Sequence, residues 1–157
     1  MVVVLDNGTP GMTGHQPLPG LDLAHLNLDR RPVSIESAAK GLGVEKVICV
    51  NPFKYRKTVQ AVNELAQYKG VSVLVARAPC PLYDRTLPNY RKMRPFQVDA
   101  TKCLSHKDCV SKVACPAFFV DGDRVRIDTD RCTGCAFCAQ ICPENAILPS
   151  REKEEAR

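Results

Sequence analysis

The sequence has no tryptophan, only three histidines, and aromatic residues make up 6% of its 157 positions. Charge of one sign is not in large excess either, because 22 lysines and arginines stand against 17 aspartates and glutamates. Few aromatics and no dense basic stripe argue against nucleic acid as a partner. No apolar run approaches the roughly 20 residues of a membrane-spanning helix, and the start lacks the pattern of a secretory signal. We therefore expect a cytoplasmic protein without a membrane partner.

Cysteine, in contrast, is abundant, with nine residues in the chain. Seven of them lie between residues 103 and 142. The count alone is compatible with disulfides in a secreted protein or with metal ligation in a cytosolic one, so the spacing has to decide. Cys49 and Cys80 stand outside any ligand spacing. We expect Cys49 to be a core residue of a strand and Cys80 to be structural or incidental.

Residues 1–78 alternate between short apolar runs and amphipathic segments. Three apolar runs predict strands, at residues 2–5, 47–50 and 71–76. Ser34 is placed to cap a helix that ends near Gly43, and Thr58 is placed to cap a second helix. The second helix is expected to carry its apolar face on Val59, Val62, Leu65 and Ala66. This order predicts an α/β fold with a partial parallel sheet.

Three strands in about eighty residues bury little surface for an independent α/β domain. We therefore expect residues 1–78 to be part of a larger domain that completes its sheet against other sequence or a partner. A small, complete fold is the alternative. Residues 79–96 are rich in proline and basic residues, which predicts a linker without regular helix.

Residues 97–149 contain an internal repeat. The segment at 98–103 is echoed at 127–132, and each copy ends in a Cys-Pro pair. Asp-Gly-Asp at 121–123 indicates a hairpin turn between the copies. Two copies, each with a strand pair and a cysteine turn, predict an α+β module with pseudo-twofold symmetry. The last residues, 150–157, read as a charged tail.

The second copy has the Cys-x2-Cys-x2-Cys-x3-Cys-Pro spacing of bacterial ferredoxins with [4Fe–4S] clusters. Its cysteines are Cys132, Cys135, Cys138 and Cys142. Three thiolates two residues apart let one tight loop wrap a cluster, and the small Gly134 and Ala136 allow a close approach. The fourth cysteine, followed by proline, reaches the other cluster. Zinc sites normally use two separated ligand pairs, so the spacing favours iron–sulfur over zinc or disulfides.

The first copy has the same pattern with one exception, because His106 stands where the second cysteine belongs. With the fourth cysteines exchanged, one cluster has a complete set of thiolates in Cys115, Cys132, Cys135 and Cys138. The other has Cys103, Cys109, Cys142 and His106. Three outcomes are open at this site. His106 ligates iron and raises the potential, as histidine does in Rieske centres; or the corner iron is labile or absent, leaving a [3Fe–4S] cluster; or the site holds no cluster.

A glycine-rich loop follows the first strand, and alone it is a weak indication of phosphate binding. Its Leu-Asp-Asn at 5–7 and Met-Thr-Gly-His-Gln-Pro at 12–17 combine with Ala-Arg-Ala-Pro-Cys at 76–80 and the cysteine repeat. Together these segments make residues 1 to about 148 resemble the C-terminal part of the alpha subunit in the indolepyruvate ferredoxin oxidoreductase family, one of the 2-oxoacid:ferredoxin oxidoreductases. The resemblance implies the end of a thiamine diphosphate-binding domain followed by a two-cluster ferredoxin-like domain.

The resemblance also implies site residues in the loop. Asn7 would supply a side-chain ligand and Thr9 a carbonyl ligand to the Mg²⁺ of thiamine diphosphate, with Met12 facing the substrate side of the thiazolium. The sequence has no Gly-Asp-Gly, which carries the other half of this motif in the family. We therefore expect thiamine diphosphate and Mg²⁺ to bind only together with a missing upstream half, supplied by another polypeptide unless this sequence is a fragment.

The whole enzyme implied by the resemblance decarboxylates a 2-oxoacid, an aryl pyruvate such as indolepyruvate, and passes the acyl group to coenzyme A. Its electrons leave through the clusters to an external ferredoxin. The partners implied are the rest of the oxidoreductase, that ferredoxin, coenzyme A and the 2-oxoacid. No residue of this chain is an evident acid, base or nucleophile, so the chain alone is expected to be inactive.

Two other functions compete with this interpretation. One is an autonomous ferredoxin-like electron carrier whose N-terminal part is a docking domain that binds no thiamine. The other is a regulatory iron–sulfur protein, which is disfavoured because two cysteine loops have electron-transfer spacing and no DNA-binding element is recognisable.

Overall fold

The computed structural model describes residues 1–15, 33–84 and 93–150. The chain divides into two compact units, Met1–Tyr90 and Arg91–Arg157. The division falls within the proline-rich segment 79–96, while the domain bounds 1–78 and 97–149 stay predictions. Within the described residues, no helix is long and apolar enough to cross a membrane.

The first unit contains a parallel sheet of three strands. They are β1 (Val2–Asp6), β2 (Lys46–Val50) and β3 (Ser72–Arg77), in the order β1-β3-β2. Both β1 and β2 pair with β3 in parallel register. Residues 72–76 of β3 are all buried, as expected for the central strand of a parallel sheet. The predicted α/β class with a parallel sheet is confirmed.

In the described part of the connections between these strands there are two α-helices, α1 (Ile35–Gly41) and α2 (Tyr55–Gln67). Ser34 caps α1 as predicted, because its hydroxyl oxygen accepts a hydrogen bond from the amide of Ser37 at 3.1 Å. Gly43 follows the helix with φ +86°, the left-handed conformation that ends helices.

The start of α2 was predicted wrongly. The helix begins at Tyr55, and Thr58 lies inside its first turn, where the hydroxyl donates to the carbonyl oxygen of Lys54 at 3.0 Å. A threonine can make this bond within a helix as readily as it caps one. Lys54 itself makes no side-chain capping bond, so no sequence signal marks the true start.

The apolar face of α2 also differs in part from the prediction. The buried cluster consists of Ala61, Leu65 and Leu74, with Ile48, Val50 and Val62 packed against it. Val62 and Leu65 were expected there, whereas Val59 is 40% exposed and Ala66 is exposed. The helix packs mainly against β2 and β3, and Val59 and Ala66 lie outside the face that these strands cover.

Cys49 is exposed, which corrects the expectation of a core residue. It lies in β2 at the edge of the sheet, and its thiol contacts the carboxylate of Glu36. Alternation places Cys49 on the opposite side of β2 from Ile48 and Val50, which face α2.

Strand β1 forms the other edge, and it leaves apolar side chains uncovered. Leu5 is 80% exposed, and Val2 and Val3 are also exposed. By alternation, Val3 and Leu5 lie on the same face of β1, so this edge strand carries exposed apolar side chains on that face.

The second unit is built from two antiparallel strand pairs. Its strands are β4 (Phe96–Val98), β5 (Phe118–Asp121), β6 (Arg124–Ile127) and β7 (Ile147–Pro149). The pairs are β4 with β7 and β5 with β6. The predicted hairpin turn between β5 and β6 is present, with Gly122 at φ +59°. The first strand of each copy thus pairs with the last strand of the other, as pseudo-twofold symmetry requires.

One helical turn interrupts the segment that was expected to contain no regular helix. It is α3 (Pro81–Asp84). Proline is tolerated as the first residue of a helix because the amide it lacks has no partner there anyway. Residues 85–92 and 151–157 lie outside the described residues, so the rest of the expected linker and the charged tail stay predictions.

Candidate metal centres

The two cysteine loops share one backbone conformation. Ser105 and Lys107 in the first loop have φ +56° and +60°, and Gly134 and Ala136 in the second have +74° and +60°. These positions correspond in the repeat. Left-handed residues that interrupt a loop in this way turn successive amide groups toward one side and create a concavity that suits anions, including iron–sulfur clusters.

Gly134 is required by packing as well as by conformation. A Cβ atom added at this position would lie 2.6 Å from the carbonyl oxygen of Arg94 and 2.6 Å from Cβ of Met93. We expected glycine at this position because a small residue lets the cluster approach closely. In the structure, the close neighbour of Gly134 is the backbone that leads into β4.

Four thiols gather around the second loop. The pKa of Cys138 is raised to about 12, mainly by burial and also by the charges of Cys135, Cys132 and Cys115. Cys115 belongs to the first copy, so the structure brings the fourth cysteine across to the other loop, as the ferredoxin spacing predicts. The amide of Phe96 also donates a hydrogen bond to Sγ of Cys132 at 3.3 Å.

Three thiols gather around the first loop in the same way. Burial raises the pKa of Cys109, and the charges of Cys142 and Cys103 contribute. Cys142 comes from the second copy, and its Sγ accepts a hydrogen bond from the amide of Ala146 at 3.4 Å. The three cysteines and His106 line one pocket.

His106 therefore lies at the site where the sequence placed it, although its ring is not buried. Its side chain is 50% exposed, and Nε2 lies 3.4 Å from Oε1 of Glu144. Sequence reasoning missed Glu144. The available signal was its position two residues after Cys142, a predicted ligand of the same site.

The donor set fits iron–sulfur clusters. Burial and the charges of neighbouring thiolates raise the pKa of Cys138, and an iron core would supply positive charge that offsets both effects. Backbone amides already donate to two of the sulfurs, as is usual around such clusters. Among the described residues, no three His, Cys, Asp or Glu side chains converge as ligands of a single metal ion. Ligation of iron by these residues stays a prediction.

The loop after β1 holds the residues expected near thiamine diphosphate. Oδ1 of Asn7 accepts a hydrogen bond from the amide of Thr9 at 3.1 Å, and the carbonyl oxygen of Thr9 accepts one from Gly11 at 3.0 Å. Thr9 is only 2% exposed, whereas the side chain of Met12 is fully exposed. Each of the two acceptor oxygens keeps a second lone pair, so both fit the oxygen ligands that Mg²⁺ prefers.

This loop is held by contacts that the sequence did not indicate. Oγ1 of Thr9 lies 3.4 Å from Nδ1 of His15, and the His15 ring stacks on Tyr83 with 5.2 Å between centroids. The amide of Cys80 donates to the carbonyl oxygen of Asn7 at 3.0 Å. The loop thus lies at the carboxyl edge of the parallel sheet, where ligands of such sheets bind.

The side chain of Arg77 in β3 links β1 and α1 at this edge of the sheet through hydrogen bonds. Its Nε donates to Asp6 at 2.6 Å, and its two terminal nitrogens donate to the Glu36 carboxylate at 2.8 Å each. The bonds from Arg77 lower the pKa of Glu36 to about 2. Asp6 directly precedes Asn7, so this ion-pair network anchors the start of the loop.

Comparison with known families gives two matches in the order that the sequence predicted. The C-terminal TPP binding domain of thiamine pyrophosphate enzymes matches residues 1–76, and the 4Fe-4S binding domain matches residues 125–148. The first match covers the parallel sheet and the second covers the complete cysteine motif.

Individual relatives extend the similarity over both units. The indolepyruvate oxidoreductase subunit IorA of Archaeoglobus fulgidus is 42% identical over 96% of this chain, and that of Thermococcus kodakarensis is 35% identical over 98%. This chain spans about a quarter of their length, 24% in each case. The pyruvate synthase subunit PorD of Methanothermobacter marburgensis is 38% identical over 41% of the chain. The chain belongs to the family of the indolepyruvate ferredoxin oxidoreductase alpha subunit and corresponds to the C-terminal part of that subunit.

Proposed function

We propose that this chain is the iron–sulfur electron-transfer segment of a thiamine diphosphate-dependent 2-oxoacid:ferredoxin oxidoreductase. The observation that carries the proposal is the exchange of cysteines between the two loops, which gathers Cys115 with the second loop and Cys142 with the first. This exchange is the arrangement of two-cluster ferredoxins. The match of residues 1–76 to a thiamine pyrophosphate domain supports the oxidoreductase over an autonomous carrier.

Each cysteine set has a defined role in this proposal. Cys115, Cys132, Cys135 and Cys138 hold one [4Fe–4S] cluster, and Cys103, Cys109, Cys142 and His106 hold the other. Clusters in these sites supply one-electron transfer, which links a two-electron oxidation to a one-electron carrier. The chain positions the irons, and its amides at Phe96 and Ala146 donate to thiolate sulfurs, which tunes the reduction potential.

The loop after β1 contributes the second part of the proposal. Asn7 and Thr9 supply oxygen ligands to the Mg²⁺ of thiamine diphosphate, and the rest of the oxidoreductase supplies the Gly-Asp-Gly half. The exposed apolar side chains of Leu5 and Met12 give that remaining protein a surface to cover. The substrates of the complete enzyme are an aryl 2-oxoacid and coenzyme A, and the electron acceptor is an external ferredoxin.

Anaerobic purification of the tagged chain from its native host tests the proposal. We expect a polypeptide with a Gly-Asp-Gly motif to co-purify, and the complex to reduce ferredoxin when 2-oxoacid and coenzyme A are added. Neither the chain nor its partner should do so alone. An iron-containing chain that purifies without any partner and transfers electrons between other redox proteins would instead establish the autonomous carrier.

A further inference from the structure

Among the residues that the structure describes, the carboxylate nearest to hydrogen-bonding distance of the His106 imidazole is that of Glu144. Nε2 of His106 lies 3.4 Å from Oε1 of Glu144, across 38 residues of sequence. The other carboxylate that lines this pocket, Asp108, pairs with Lys112 at 2.8 Å. Glu144 is therefore the carboxylate that can orient the His106 ring.

The two cysteine loops carry different residues at the positions that correspond to His106 and Glu144. The position that corresponds to His106 in the second loop is Cys135. The residue directly after the Cys-Pro pair is Glu144 in the second copy and Ala117 in the first. Thus the loop with a thiolate at this position is combined with an alanine after the exchanged Cys-Pro pair, whereas the loop with an imidazole is combined with a carboxylate.

This difference follows from ligand chemistry. A thiolate binds iron through its single sulfur, whatever hydrogen bonds it accepts. An imidazole has two nitrogens, and one of them must carry the proton while the other binds the metal. Histidine ligands therefore almost always donate the remaining N–H to a carboxylate, a carbonyl or water, which fixes the tautomer and the ring orientation.

We propose that Glu144 is a positioning residue for the corner iron of the first cluster. It accepts the hydrogen bond from Nε2–H of His106 and so directs Nδ1 to the iron. This inference rests on the proposed function, because it requires a cluster held by Cys103, Cys109 and Cys142. Glu144 is well placed for the role, since the turn that carries it also carries Cys142 and closes with a bond from the Asn145 amide to the Cys142 carbonyl oxygen at 3.3 Å.

The contribution of the contact is one of orientation rather than of fold stability. The side chains of His106 and Glu144 are 50% and 36% exposed, and exposed ion pairs contribute little to the free energy of unfolding. Loss of an outer partner of a metal-bound histidine, in contrast, typically weakens metal binding by about 10- to 100-fold.

The full chain, reconstituted anaerobically with iron and sulfide, allows a direct test. Pulsed EPR of protein labelled with ¹⁵N-histidine should show one strongly coupled histidine nitrogen at the first cluster. Glu144→Ala should remove or weaken this coupling and lower the affinity of the corner iron by about 10- to 100-fold, measured by competition with a chelator. Glu144→Gln keeps an acceptor oxygen, so the coupling should persist.

A second pair of variants separates positioning from a structural effect on the Cys142 turn. In His106→Cys the corner iron is held by a thiolate, so adding Glu144→Ala should no longer change its affinity. An equal loss of affinity in both backgrounds would overturn the inference, because Glu144 would then act on the turn and not through His106.

The complete second set of cysteines serves as an internal control. An intact second cluster with no histidine coupling at the first site would overturn the role of Glu144 and the assignment of His106 as a ligand, and would leave the proposed electron-transfer function standing on the cysteine ligands. A chain that binds no iron at either site would overturn both.

Discussion

The amide of Asp99 donates a hydrogen bond to the carbonyl oxygen of Ala146 at 2.7 Å. The equivalent bond in the other half of the repeat runs from the amide of Asp128 to the carbonyl oxygen of Ala117 at 2.8 Å. Each bond joins the entry of one cysteine loop to the exit of the other, within three residues after the Cys-Pro pair. The two halves of the repeat are therefore fixed to each other at both exchange points, which places Cys115 and Cys142 in the opposite loops.

This exchange predicts which cysteine variants share a phenotype. Cys115→Ser should remove the same cluster as Cys138→Ser, although residue 115 belongs to the first copy. Cys142→Ser should instead match Cys103→Ser. Mössbauer and EPR spectra of the variants distinguish the two clusters, and Cys49→Ser and Cys80→Ser serve as controls that should retain both. Loss of the first-loop cluster in Cys115→Ser would show that the cysteines are not exchanged.

Gly134→Ala should disrupt the second cluster. The new Cβ would meet the Arg94 carbonyl oxygen at 2.6 Å, and the left-handed φ of +74° itself costs a side chain about 1–2 kcal/mol. Iron content and the spectrum of the second cluster measure the effect. Gly122→Ala is a matched control, because that position has φ +59° but open space around its Cβ. If both variants lost iron to the same extent, the contact with Arg94 would be irrelevant.

The Arg77 network should make stability depend on pH. The pKa of Glu36 falls from 4.5 to about 2 because Arg77 donates to its carboxylate. A carboxyl with a lowered pKa in the folded state contributes stability above pH 4.5, and this contribution is lost as the pH falls toward 2. Glu36→Gln should therefore lower the free energy of unfolding near pH 7 by about 1 kcal/mol, since the pair is partly exposed.

Denaturant titrations of Glu36→Gln and the unmodified chain should converge as the pH falls toward 2. Glu64→Gln, which breaks the more exposed pair with Lys46, is the control and should change stability less. A difference between Glu36→Gln and the unmodified chain that persists unchanged at pH 2 would be inconsistent with the network.

Local signals predicted much of the fold. Helix α1 begins after Ser34 and ends shortly before Gly43, as expected, and the chain turns at Asp-Gly-Asp 121–123, as predicted. The start of α2 was predicted wrongly from Thr58 because a hydroxyl can also bond to a backbone carbonyl from inside a helix. The true start has no capping side chain. Cys49 was misplaced because periodicity reveals the two faces of a strand but not which of them is covered.

The grouping of the cysteines around two loops could be predicted because iron–sulfur ligation imposes fixed spacings, while ligation itself stays a prediction. The contacts of Arg77 and Glu144 could not be predicted, since their partners lie far away in the sequence. Arg77 meets Asp6 across 71 residues, and Glu144 meets His106 across 38. Such contacts are set by the register of β1 on β3 and by the exchange of the two halves of the repeat, which only the folded chain displays.

The loop after β1 carries one half of the motif that binds Mg²⁺ and thiamine diphosphate, and this leads to a further prediction. Asn7 and Thr9 offer ligand oxygens, but the sequence contains no Gly-Asp-Gly. Isothermal titration calorimetry of this chain with Mg²⁺ and thiamine diphosphate should therefore show no binding. Tight binding by the chain alone would contradict the role assigned to the loop.

Iron and acid-labile sulfide analysis of the anaerobically reconstituted chain, combined with Mössbauer spectroscopy, tests the central claim most directly. The account predicts about four irons in a [4Fe–4S] cluster from the complete cysteine set, and about eight in total when the first site also holds its corner iron at His106. Zinc in place of iron, with no acid-labile sulfide, would contradict it.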